Sequence, residues 1–189
     1  MPLLRTIRQI VITGFMGAGK STVGAMLAQA LEWKFLDMDG VIEAQTGKTV
    51  GEIFAQQGEE TFRALEAEAI RHNSARENLV MALGGGAIET LSTRELLTTL
   101  DGAAVVFLDA PLDVLVARCL AQPGAAERPV LADREGLVRR FQSRLPYYRS
   151  ASLTISTEAL DPQAVVARIL ESLGERCRVD SAREGISAQ

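Results

Sequence analysis

Gly14-Phe15-Met16-Gly17-Ala18-Gly19-Lys20-Ser21-Thr22 reads Gly-x-x-x-x-Gly-Lys-Ser. It lies between an apolar run, Ile10 to Thr13, and a stretch in which Val23, Met26, Leu27, Ala30 and Leu31 recur on one helical face. Strand, glycine loop and helix follow one another. The glycines let backbone N–H groups curl inward around an anion, and the helix that follows adds the positive end of its dipole. Lys20 is placed to reach the outer phosphates of a nucleoside triphosphate, and the hydroxyl of Ser21 to ligate the magnesium bridging them.

Outward from this loop the chain alternates strand and helix. Phe35 to Asp37 is a short apolar strand with an acidic exit. Short helical segments follow around Val41 to Ala44 and Val50 to Gln57, then a longer helix through Phe62, Leu65, Ala69 and Ile70. Leu79 to Leu83 and Ala103 to Leu108 are continuous apolar runs, the pattern of strands covered on both faces. Ser152 to Ser156 is a fifth strand. Asp161 caps a last helix with Pro162 at its first position. Such alternation predicts a three-layer α/β/α domain around a five-stranded parallel sheet, because parallel strands need crossover connections. Residues 121–133, with Pro123, Gly124 and Pro129, break all periodicity and predict a mobile lid. The domain is expected to span 1–173, and 174–189, without a period, to be a disordered tail.

Composition narrows the classes. At 189 residues with 47% apolar and 23% charged residues, the chain suits one globular domain. No apolar run approaches a bilayer span, and Arg5 and Arg8 interrupt what an export signal would need. A cytoplasmic protein is expected. The net charge of -4 gives no support to a nucleic-acid surface, so small-molecule partners are expected. Cys119, Cys177 and the lone His72 form no metal-ligand or redox spacing.

Ligands in open parallel sheets bind at the carboxyl ends of the strands, which directs attention to the residues just after each strand. Asp37 and Asp39, two apart, project to one face while the chain is extended; one suits the magnesium and the other substrate hydroxyls, or the pair forms an acidic turn with Asp39 capping a helix from Val41. Asp109, ending the fourth strand, competes with Asp37 for the metal-side role. Arg63 and Glu66 are neighbours at i, i+3, which fits either a site or a surface pair. Gly84, Gly85 and Gly86 let a ligand approach the backbone itself. In the lid, Arg128-Pro129 puts a guanidinium either where closure would bring it over phosphates or in solvent as a loop charge, and Arg144, before Leu145-Pro146-Tyr147-Tyr148, fits either a site or the surface.

The order Gly-x-x-Gly-x-Gly-Lys-Ser-Thr, Asp-x-Asp, Phe-Arg-x-x-Glu, Gly-Gly-Gly-Ala, Arg-Pro-x-Leu and Arg-x-Pro-x-Tyr resembles the shikimate kinase family from about Ile10 to Leu173. The resemblance implies sheet order 2-3-1-4-5 and ATP-dependent phosphorylation of shikimate to shikimate 3-phosphate, on the route to aromatic amino acids. It implies ATP on Gly14, Gly17, Ala18, Gly19, Lys20, Ser21, Thr22, Arg118, Arg128 and Pro162, and magnesium on Ser21 and Asp37. Shikimate would be held by Asp39, Arg63, Glu66, Gly84, Gly85, Gly86 and Arg144, with Lys20, Asp39 and Arg128 catalytic. A monomer is expected. Two other readings stay open: a kinase for another small hydroxy acid such as gluconate, and a nucleotide-binding regulatory module without catalysis.

Overall fold

A computed structural model describes residues 7–121 and 133–186, with side chains described up to residue 174. The expected lid therefore lies almost wholly outside the described residues, and Arg128 with it. Five strands, β1 (Gln9–Thr13), β2 (Lys34–Asp37), β3 (Leu79–Ala82), β4 (Ala103–Asp109) and β5 (Leu153–Ser156), form one sheet in the order β2-β3-β1-β4-β5. All four pairings are parallel, and β1 is central, with Ile10 opposite Val80 on one side and Ala104 on the other. Every residue of β1 and β3 is buried, as their unbroken apolar runs require.

Among the described residues, seven α-helices flank the sheet: α1 (Lys20–Leu31), α2 (Met38–Thr46), α3 (Val50–Asn73), α4 (Leu91–Thr99), α5 (Leu112–Leu120), α6 (Arg134–Tyr148) and α7 (Pro162–Ile186). Alternation along the strands sorts the core into two layers. Ile10, Ile12, Val80, Ala104 and Val106 face Val23, Leu27 and Ala28 of α1 and Val165, Ile169 and Leu173 of α7. Val11, Leu79 and Met81 face Met38 and Ile42 of α2 and Ile53, Phe62 and Ile70 of α3. The three layers match the sequence reading, and the strand order is the one the resemblance implies.

Three local readings change. The two helical segments expected on either side of Gln57 form one element, α3, broken in direction only at Gly58, whose φ of 84° and ψ of 169° are open to glycine alone. The cap of α2 is Asp37, whose carboxylate accepts from the Asp39 N–H at 3.2 Å; the helix starts at Met38, so Asp39 stands in its first turn rather than before it. The backbone of α7 stays helical to Ile186, past Leu173 where the apolar period stops, with no proline after Pro162 to break it. Its entry is as read: Asp161 accepts from the Ala164 N–H at 2.8 Å. Among the described residues, no helix is long and apolar enough to cross a membrane.

Candidate active site

The phosphate loop joins β1 to α1, and its glycines are needed one by one. Gly14 (φ 149°) lies so close to the Leu108 carbonyl that a Cβ there would sit 2.8 Å from its oxygen. A Cβ on Gly17 (φ 76°) would collide with the Leu115 carbonyl. Gly19 is the N-cap of α1 in left-handed conformation and offers no side-chain acceptor, so the first-turn N–H groups are left for a ligand. Lys20 spans the loop, its Nζ donating to the Phe15 carbonyl at 3.1 Å. Desolvation lowers its pKa from the ordinary lysine value, while Asp39 and then Asp37 pull it back up. The hydroxyl of Ser21 donates to Asp37 Oδ2 at 2.5 Å, which brings the end of β2 to the start of α1. At Asp109 the backbone carbonyl accepts from the Thr157 N–H at 2.8 Å and ties β4 to the end of β5.

Beside this loop, α2, α3, α6 and the β3 exit build a second, charged corner. On α3 the Arg63 guanidinium donates from Nη1 to Glu66 Oε2 at 2.7 Å and from Nη2 to Glu59 Oε1 at 3.2 Å. It also lies 5.4 Å from the ring centre of Phe62 and 6.0 Å from that of Phe54, within cation–π range. Glu66 is 1% exposed, and its Oε1 has no hydrogen-bond partner among the described residues; neither has Asp39 Oδ1 nor Arg144 Nε. Buried polar atoms are nearly always paired, so three orphans in one corner mark where a polar ligand would complete the bonding. Burial raises the Asp39 pKa above the usual carboxylate value, with the neighbouring Asp37 adding to the rise. Burial also raises that of Glu66, with Arg63 opposing.

The three glycines after β3 are where these groups meet. A Cβ on Gly84 would collide with Glu66 Oε1 and approach Asp39 Oδ1 at 2.9 Å, and one on Gly86 would collide with the Arg63 guanidinium. At Gly85 a Cβ would lie 3.7 Å from Gly14 O and Met16 N of the phosphate loop and 3.9 Å from Arg144 Nη1. The charged corner therefore abuts the loop. Arg144, only 9% exposed, lies over the Phe15 ring at 5.7 Å and donates from Nη2 to Glu89 Oε2 at 2.7 Å.

Two groups in this corner are not among the expected site residues. Tyr148 stacks on Phe107, with centroids 5.1 Å apart, and its hydroxyl donates to the Gly85 carbonyl at 2.5 Å, fixing the glycine turn. Burial raises its pKa, so it remains a donor. Glu89 joins the two arginines across the site. On the far side of the phosphate loop, Arg118 of α5 donates to Thr157 Oγ1 at 2.9 Å and to the Thr157 carbonyl at 2.5 Å. That ties Arg118 to Thr157, at the start of the segment leading into Pro162.

Comparison with known proteins bears on this arrangement. The model of the shikimate kinase family matches residues 16–174. A shikimate kinase of Symbiobacterium thermophilum is 42% identical over 171 residues, covering 88% of this chain and 97% of that one. One of Gloeobacter violaceus is 40% identical over 176 residues, covering 92% and 96%. Among solved structures, a shikimate kinase from Acinetobacter baumannii in complex with shikimate superposes with a TM-score of 0.80 at 34% identity, over 92% of this chain and 96% of that one. A gluconokinase from Sinorhizobium meliloti, at 21% identity and a TM-score of 0.58, shares the fold.

Proposed function

The chain belongs to the shikimate kinase family, and on that premise we propose that it transfers the terminal phosphoryl group of ATP to the 3-hydroxyl of shikimate. The observation that carries the reading is the meeting, at Gly84–Gly86, of two guanidiniums and two unpartnered carboxylate oxygens directly beside the phosphate loop. A cyclic acid with several hydroxyls matches that set. Arg63 and Arg144 bind its carboxylate by charge-assisted hydrogen bonds. Asp39 Oδ1 and Glu66 Oε1 accept from its hydroxyls, and Asp39, the one nearer Lys20 in charge coupling, orients the attacking hydroxyl and takes its proton. Gly84, Gly85 and Gly86 let the ring lie against the backbone.

The nucleotide's phosphates lie in the loop from Gly14 to Thr22, on its N–H groups and Lys20, with the base between Arg118 and the Pro162 segment. Ser21 and Asp37 are hard oxygen donors already in contact, a donor set that fits magnesium bound jointly with nucleotide phosphates; the ion supplies positive charge for the transferring group. Arg128 is assigned to the phosphates from its place in the expected lid. A cytoplasmic location and a monomeric state belong to the same reading.

The test is ADP release by the purified protein with ATP and magnesium, in the presence of shikimate, of gluconate, or of neither. Turnover is expected to saturate with shikimate alone. Nucleotide binding without turnover on either acid would refute the acceptor assignment.

A further inference from the structure

Arg63 and Arg144 come from different helices and converge on a side chain that the function above leaves unused. Glu89 Oε2 accepts from Arg144 Nη2 at 2.7 Å and lies 3.9 Å from Arg63 Nη2. The backbone of Glu89 is pinned: its N–H donates to the Gly86 carbonyl at 2.9 Å, and its carbonyl accepts from Arg94 Nη1 at 2.7 Å. Arg94 is itself held over the Tyr147 ring at 4.2 Å. The side chain is the part free to move. It is 35% exposed, against 10% for Arg144 and 18% for Arg63, so it can turn into water while the guanidiniums stay where they are.

The grip on Arg144 is incomplete in a telling way. A guanidinium offers a carboxylate two forks, one formed by Nε–H and Nη2 and one by Nη1 and Nη2, and Nη2 belongs to both. Glu89 occupies that shared nitrogen with one oxygen, yet the buried Nε beside it has no hydrogen-bond partner among the described residues. A carboxylate free to choose its orientation would use both donors. Glu89, tethered by its backbone, makes one contact where an incoming acid can make two.

Resting on the reading that a carboxylate acceptor is held by these arginines, we propose that Glu89 is an internal acid that stands in for the acceptor's carboxylate and is displaced when the acceptor binds. It is a positioning residue that sets acceptor affinity and does not touch the reacting atoms. Its displacement removes an ion pair and leaves a second negative charge beside the entering one, so its presence weakens binding of an anionic acceptor. Glu66 cannot take this part, because it is buried and bonded to Arg63 Nη1. Asp39 belongs to the hydroxyl side.

The experiment is steady-state kinetics of wild type and Glu89→Gln with shikimate and with its neutral methyl ester. The isosteric amide keeps the shape and removes the charge. KM for shikimate is expected to fall by about three- to tenfold, with kcat and KM for ATP within about twofold of wild type. The kcat/KM for the methyl ester is expected to be unchanged. Glu89→Ser, which removes the charge without the amide, is expected to move KM for shikimate in the same direction. An unchanged or raised KM in both variants would overturn the proposal, as would an equal change for the methyl ester. Wild-type turnover that does not saturate with shikimate would instead refute the acceptor assignment, and Glu89's role with it.

Discussion

Asp39 shows what the site costs a single residue. Its carboxylate is partly buried, next to Asp37, with one oxygen unpaired, and its pKa is raised above the ordinary 3.8. A raised folded-state value means that the fold favours the protonated form. Stability is therefore lost as pH rises from about the unfolded value through the raised one. Asp39→Asn is accordingly expected to melt higher than wild type at pH 7, with the advantage gone below the ordinary carboxylate range. If Asp39 takes the hydroxyl proton, the same variant loses about 10²- to 10⁴-fold in kcat, and the acidic limb of the wild-type pH–rate profile disappears. Melting curves at two pH values, read against turnover, check both halves. A variant no more stable than wild type at pH 7 would remove the physical cause assigned to the shift.

At the scale of elements, the break in α3 places Arg63 and Glu66. A Cβ at Gly58 would meet nothing within 4 Å, so only its backbone conformation calls for glycine. Gly58→Ala is expected to destabilise by about 1–3 kcal/mol, lowering the melting temperature by about 2–4 °C for each kcal/mol. Thermal denaturation checks it, and an unchanged midpoint would mean the turn relaxes without strain. The sequence showed both helical periods but not that one element carries them, because Gly58 reads equally as a linker and as a bend. The β2–α2 junction misled in the same way: Asp-x-Asp is legible as a pair of acids, yet which one caps depends on where the chain turns. The three glycines were read as room for a ligand. Gly84 and Gly86 in fact make room first for Glu66 and Arg63, whose atoms would collide with any Cβ there.

For the whole molecule, the parallel sheet and its layers were legible because buried parallel strands leave unbroken apolar runs and force helical crossovers between them, while the strand order came from the family resemblance alone. The site was legible in its strand-exit residues for a related reason: the fold brings the carboxyl ends of β1, β2 and β3 together. Contacts between distant segments were not legible. Tyr148 reaches Gly85, and Arg144 reaches Glu89, across more than fifty residues of chain, and the motifs that contain Tyr148, Arg144 and Gly85 do not say which residue each will meet. The central claim is that two arginines and Asp39 hold one acid in one orientation beside the phosphate loop. The most direct test is phosphorus NMR of the product formed from ATP and shikimate. A single phosphomonoester, coupled to the proton at ring position 3, is the predicted result; a mixture of positional isomers, or no phosphomonoester at all, would contradict the account.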